Sequence, residues 1–167
     1  MYEHLALYSK IKTKVQAESE REAEIETLIN DIDLMDKKNF LAGNLSGGQK
    51  RKLSVACAFI GGSKVILLDE PSSGLDVSAR RNLWSMLKKY KKDKIIILST
   101  HFMNEADYLG DRIGVIGEGK LLTCGSSLFL KSKFGYGYSM TMVKSDPNTS
   151  TQKITDLIKS HVQSAKL

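Results

Sequence analysis

Asp69 and Glu70 stand side by side at the end of the apolar run Val65-Ile66-Leu67-Leu68. Two carboxylates at the carboxyl end of a buried strand occupy the edge where open α/β sheets bind their ligands. An Asp oxygen there suits a hard cation such as Mg²⁺, directly or through water. The adjacent Glu, turned the other way, can polarise a water for in-line attack. Upstream, Ser46-Gly47-Gly48 reads as a turn entering a helix. The serine is placed to cap it, and the glycines leave free amides open to a phosphate. Downstream, Asp76 in Ser73-Gly74-Leu75-Asp76 is placed to cap a helix from about Ser78. His101 follows Ser99-Thr100 after a second apolar run and reaches the same sheet edge as Asp69. A neutral imidazole there could contact a terminal phosphate or the attacking water. Each feature also has a plain structural reading, as solvated acids, a glycine turn, a cap and a lone histidine.

The elements that must position these residues follow from periodicity. Helices are expected over residues 2–14 and about 18–33, the second with Ile25, Leu28, Ile29 and Ile32 at helical spacing among Glu and Arg. After the Leu45–Gly48 loop, Gln49–Ile60 reads as a helix with Leu53, Ala56 and Cys57 on one side, closed by Gly61-Gly62. Val65–Leu68 is apolar without alternation, as expected of a strand covered on both faces. A helix from Ser78 to about Tyr90 and a strand Ile95–Leu98 complete a βαβ unit of a parallel sheet. Arg112–Ile116 and Lys120–Thr123 flank Gly117-Glu118-Gly119 as a hairpin. A helix near Ser126–Phe134, a strand near Tyr138–Val143, a linker Ser145-Asp146-Pro147-Asn148 and a helix striped by Ile154, Leu157, Ile158 and Val162 follow.

One string imitates a phosphate loop. Gly114-Val115-Ile116-Gly117-Glu118-Gly119-Lys120 fits G-x-x-x-x-G-K, but Leu121 stands where a Ser or Thr is needed, and Lys120 leads into a strand. A phosphate cradle needs strand, loop and helix in that order, so the string is rejected.

At 167 residues the chain is long enough for one domain with a core. The net charge of +6 comes largely from lysine runs such as Lys88-Lys89 and Lys91-Lys92, which read as solvated helix ends. No aromatics interleave with them, which argues against nucleic acid as a partner. Cys57 and Cys124 match no zinc spacing, and Cys57 in its apolar run reads as a small buried residue in a reducing compartment. No stretch has the length of a membrane span, and no leader opens the chain.

Together these residues resemble one family. Leu45-Ser46-Gly47-Gly48-Gln49 resembles the signature motif of ABC ATPases, and Val65–Glu70 their Walker B strand with its catalytic Glu. Ser73-Gly74-Leu75-Asp76 resembles the D-loop and His101 the switch histidine, all in the family's order and spacing. Lys50–Ala56, Ser99–Asp107, Gly125–Lys131 and Ile154–Leu167 look most like the A subfamily of lipid-handling transporters. The likeness runs from about Glu3 to Leu167, with Val77 where the family often has Pro.

The resemblance implies an α/β fold, a P-loop NTPase-type parallel sheet with an N-terminal helical subdomain. Residues 1–44 would form that subdomain, which in the family contacts transmembrane helices. Residues 45–144 would hold the signature motif and the C-terminal part of the RecA-like core, and 145–167 a linker and the start of a regulatory segment. The cofactors implied are ATP and Mg²⁺. Asp69 would hold Mg²⁺ through water, Glu70 would act on the attacking water and His101 would sense the γ-phosphate. Leu45 to Gln49 would close over a nucleotide held by a second nucleotide-binding domain, and Asp76 would link the two sites. The expected setting is the cytoplasmic face of a membrane, beside the transmembrane domains of a transporter.

The family's adenine-stacking aromatic, Walker A loop and Q-loop would all precede Met1, so the sheet is expected to be incomplete, without its Walker A strand. The chain alone is then expected to lack competence for hydrolysis. The alternative reading is a truncated, non-catalytic regulator that docks on a transporter or completes a partner's ATP site in trans. A soluble ABC ATPase of the DNA-repair or translation-factor type would be flanked by coiled-coil arms, and no heptad run appears.

Overall fold

The computed structural model describes residues 1–13, 17–135, 140–146, 150–163 and 165. Two compact units, Met1–Lys133 and Phe134–Leu167, divide it.

The first unit opens with α1 (Tyr2–Lys12) and α2 (Glu18–Asp31), whose Leu5, Ile25, Leu28 and Ile29 are fully or nearly fully buried. The helical spacing of those apolar positions makes the stripe that packs the pair. Short 3₁₀ turns at Met35–Lys37 and Ala42–Asn44 lead to α3 (Gly47–Phe59). The end of α3 is closed from outside. Lys12 Nζ donates to the carbonyls of Cys57 and Ala58 at 2.8 Å each, satisfying groups that a helix C-terminus leaves unpaired. Gly61 and Gly62 then turn the chain at φ +75° and +69°. A Cβ at Gly61 would meet Lys12 Cβ at 2.8 Å, so glycine is required there both for conformation and for space.

Next come β1 (Val65–Asp69), α4 (Val77–Tyr90) and β2 (Ile95–Ser99). The strands pair in parallel from Val65 opposite Ile95 to Asp69 opposite Ser99, the expected βαβ unit. The core runs from Ile25 and Ile29 through Leu53, Ala56 and Phe59 to Ile66, Leu83 and Leu87. Helix α4 starts at Val77 without the family's frequent Pro, because Asp76 caps it. The unit continues with α5 (Met103–Leu109) and the hairpin β3 (Ile113–Gly117) and β4 (Lys120–Gly125), then reaches α6 (Ser127–Phe134). The phosphate-loop imitation at Gly114–Lys120 is this hairpin, with Glu118 and Gly119 at positive φ in its turn, so its rejection stands.

Two expectations change. The strands are not covered on both faces: Val65, Leu67, Ile95 and Ile97 share one face and are exposed, Leu67 at 71%. On the other face Ile66 and Leu68 of β1 are buried in the core, and Ile96 and Leu98 of β2 pack against it half-buried. A continuous apolar run therefore reports β propensity here, while burial alternates along β1. The strand expected near Tyr138–Val143 is absent over 140–143, and residues 136–139 lie outside those described. In the second unit α7 (Thr151–His161) forms as the apolar stripe predicts. Lys14, Pro147, Asn148 and Leu167 also lie outside the described residues.

Candidate functional site

The capping arithmetic at α3 is complete. Gln49 N donates to Ser46 Oγ at 3.3 Å, and Ser46 N donates to Gln49 Oε1 at 2.9 Å, a reciprocal capping box. Gln49, read in the sequence only as part of a motif, thus spends its side chain on fixing the serine. Gly47 has open space where a Cβ would stand. Gly48 does not, since a Cβ there would lie 3.2 Å from Leu75 Cδ2, and this bareness lets the turn approach the Ser73–Asp76 loop. Leu45 is buried beneath.

That loop turns at Gly74, φ +74°, and ends at Asp76. Asp76 Oδ1 accepts from Ala79 N at 2.9 Å, which holds its carboxyl below the ordinary carboxylate value. Ser46, Gly48 and Gln49 from one side and Gly74, Leu75 and Asp76 from the other line one open cleft of about 630 Å³. Its floor adds two residues that sequence reasoning passed over. Lys52 is buried, with Nζ 3.9 Å from Asp33 Oδ2. Its position one turn beyond Gln49 on the same helical face was a usable signal; Asp33, at φ +55°, gave none.

The sheet edge gathers the remaining residues. Asp69 Oδ1 accepts a hydrogen bond from Ser99 Oγ, across the parallel pair. Glu70 then leaves the strand at φ +48°, its amide donating to the Ser99 carbonyl and hydroxyl at 3.1 Å each. The two neighbouring carboxylates end on different partners, Asp69 on Ser99 and Glu70 beside His101. His101 Nδ1 lies 2.8 Å from Glu70 Oε2, with the histidine side chain 62% exposed and the glutamate 31%. Oε2 is buried and has no hydrogen-bond partner, so the contact is one of distance, with the imidazole beside a carboxylate oxygen whose lone pairs are unspent. Sequence reasoning placed both residues at one edge; the structure puts them in contact. Ser99, which ties Asp69 to Glu70, was legible only as part of the run leading to His101.

The edge also fits a particular kind of cation. Among the described residues no group of three His, Cys, Asp or Glu side chains is placed to hold a metal. A single carboxylate such as Asp69 suits Mg²⁺, which keeps waters and takes substrate phosphates, rather than a cation caged by protein.

Similarity to known proteins agrees with this geometry. A family model described as ABC transporter matches residues 2–73. The human phospholipid-transporting ATPase ABCA3 is 47% identical over 165 residues, covering 99% of this chain. Rat ATP-binding cassette sub-family A member 2 is 51% identical over 152 residues, covering 90% of it. The chain belongs to the ABC transporter family.

Its sequence is that of an ABC nucleotide-binding domain of the A subfamily. It spans 10% of the length of ABCA3 and 6% of that of the rat relative. The solved ATP-binding subunit of an ABC transporter superposes with a TM-score of 0.69 at 27% identity, over 80% of this chain and 55% of that one. A dimeric ATP-binding cassette in a post-hydrolysis state, bound to ADP and Pi, gives 0.60 at 25% identity, over 67% of this chain and 49% of that one. The ABC ATPase fold is therefore that of a P-loop NTPase.

Proposed function

We propose that this chain is part of the ATP-binding cassette of a transporter that couples ATP binding and hydrolysis to movement of a lipid-like substrate across a membrane. The observation that carries the reading is the Glu70–His101 contact at the carboxyl edge of β1 and β2. A carboxylate poised on water and an imidazole within hydrogen-bond reach form an acid–base pair suited to in-line phosphoryl transfer. In this reading Glu70 orients and polarises the water, and His101 holds Glu70 while facing the terminal phosphate. Asp69, steadied by Ser99, would hold Mg²⁺ through water, and the ion when bound would neutralise charge on the phosphates.

Leu45 to Gln49 form the surface that closes on the nucleotide of a second nucleotide-binding domain, and the loop ending in Asp76 runs between the two sites. Residues 1–44 face the transmembrane domains, and 145–167 lead into a regulatory segment. The cytoplasmic face of a membrane is the matching location. The name of the phospholipid-transporting relative supports the lipid assignment. The test is Glu70→Gln in the polypeptide that carries these residues. ATP turnover should fall about 100-fold or more while ATP binding persists; turnover equal to the parent would sink the reading.

A second reading rests on the finished cap at α3. The Ser46-Gly47-Gly48 turn and its cleft are built wholly from these residues, so the chain could complete a partner's ATP site in trans. Mixing it with a complete partner domain should then raise that domain's ATPase, and a Ser46→Arg chain should not.

A further inference from the structure

The Ser73–Asp76 loop and the His101 loop are joined by one side chain that the reaction chemistry does not use. Arg80 sits in the first turns of α4, and its Nη2 reaches back to donate to the Leu75 carbonyl at 3.4 Å. Its guanidinium lies over the Phe102 ring, 4.2 Å from the centroid. The Phe102 ring in turn packs on the His101 ring, centroids 4.0 Å apart and planes tilted by 40°. His101 then meets Glu70 at 2.8 Å. Phe102 itself is held firmly. Its amide donates to Thr100 Oγ1 at 3.0 Å, and its carbonyl accepts from Glu105 and Ala106 at the start of α5.

From this chain of contacts we infer that Arg80 is a positioning residue for His101, joining the loop that ends in Asp76 to the histidine that contacts Glu70. The inference rests on the functional reading above only for its consequence on turnover.

Simple helix packing does not account for an arginine here. A cation near a helix N-terminus opposes the helix dipole. Among the described residues no carboxylate pairs with Arg80, and its Nε is buried without a hydrogen-bond partner. A leucine would cover Phe102 at lower electrostatic cost. What only a flat, forked cation supplies is a simultaneous grip on a carbonyl and an aromatic face. One turn further along the same face, Trp84 Nε1 donates to the buried Glu105 Oε1 at 2.7 Å, anchoring α5 independently. The α4–α5 packing therefore has its own fastening, which leaves Arg80 free to act on the loop.

The test reads the histidine directly. In the native polypeptide that carries these residues, diethyl pyrocarbonate modification is followed at each histidine by peptide mass, with His4 and His161 as internal references. Arg80→Met, which keeps the stem, should speed modification of His101 at least about two- to fivefold, the factor expected from losing one cation–π contact. The reference histidines should not change, and Arg80→Lys should restore part of the effect. Phe102→Leu should mimic Arg80→Met, and the double variant should go no further than Phe102→Leu alone. ATPase measured alongside should lose kcat with KM for ATP unchanged. An unaltered His101 rate, multiplying effects in the double variant, or a parallel rise at all three histidines would each overturn the inference. If the parent and Glu70→Gln proteins show equal ATPase, the functional reading fails, while the modification ratios still decide the role of Arg80.

Discussion

Asp76 and Cys57 show how much a single side chain reveals once its neighbours are known. Both Asp76 and its unfolded counterpart are carboxylates, but the folded one is held below its ordinary value of 3.8 by the Ala79 amide. A depressed folded value means that its contribution to stability is complete above pH about 4 and drains away as pH falls through the folded value. Asn at this position caps without titrating. The difference in urea midpoint between the parent and Asp76→Asn should therefore shift against the parent as pH drops from 5 to 2. Cys57 behaves in the opposite sense. Burial pushes its thiol up to about 11, against the pull of the Lys12 charge beside it. Cys124 is exposed. At pH 8 iodoacetamide should label the exposed Cys124 faster than Cys57, whose thiolate is suppressed and whose side chain is half-buried, and mass mapping of the two peptides checks this. The sequence showed which residues could titrate and where they sat. It could not show the Ala79 amide or the Lys12 ammonium, because those neighbours come from a turn and from a segment 45 positions away.

At the scale of elements, the helices were the most legible part, since Ile25, Leu28 and Ile29 stand at the i, i+3, i+4 positions of one helical face. The cap of α3 was legible in Ser46, and its strength was not, because Gln49 closes the box only when its rotamer folds back. Ser46→Ala should destabilise the first unit by about 1 kcal/mol, visible in chemical denaturation, since it removes one cap acceptor and frees its partner. Gly48→Ala should act differently. Its Cβ would press on the movable end of Leu75 at 3.2 Å, so stability should change little while the cleft between the two loops changes shape. Chemical denaturation separates the two variants, since Ser46→Ala alone should lose stability. The strands at Val65–Asp69, Ile95–Ser99 and the hairpin were located correctly, but the strand expected near Tyr138–Val143 is absent over 140–143, and the surroundings of β1 and β2 were misread. Val65-Ile66-Leu67-Leu68 is equally apolar throughout, and nothing in such a run distinguishes a residue facing the core from one facing away.

For the molecule as a whole, that misreading has a physical cost. Leu67, Ile95 and Ile97 place large side chains on one exposed face, beside the unpaired edges of a two-stranded sheet. Contiguous apolar surface of this kind promotes association. The 167-residue chain produced alone should bind an apolar dye and scatter light, and Leu67→Lys should reduce both without altering its circular dichroism. Equal dye binding by the two proteins would show that the face is not the sticky one.

The pairing of Asp69 with Ser99 has a further meaning for how this sheet finds its alignment. Ile95-Ile96-Ile97 is nearly the same object after a slide along its own axis, so oily side chains cannot tell one alignment of β2 from the next but one. A slide of two residues would set Ile97 against Asp69 and carry His101 past Glu70 by some 7 Å. The hydroxyl at the strand's end breaks this symmetry. Ser99 is the graduation mark on an otherwise blank ruler, and the distance it measures is the one between Glu70 and His101.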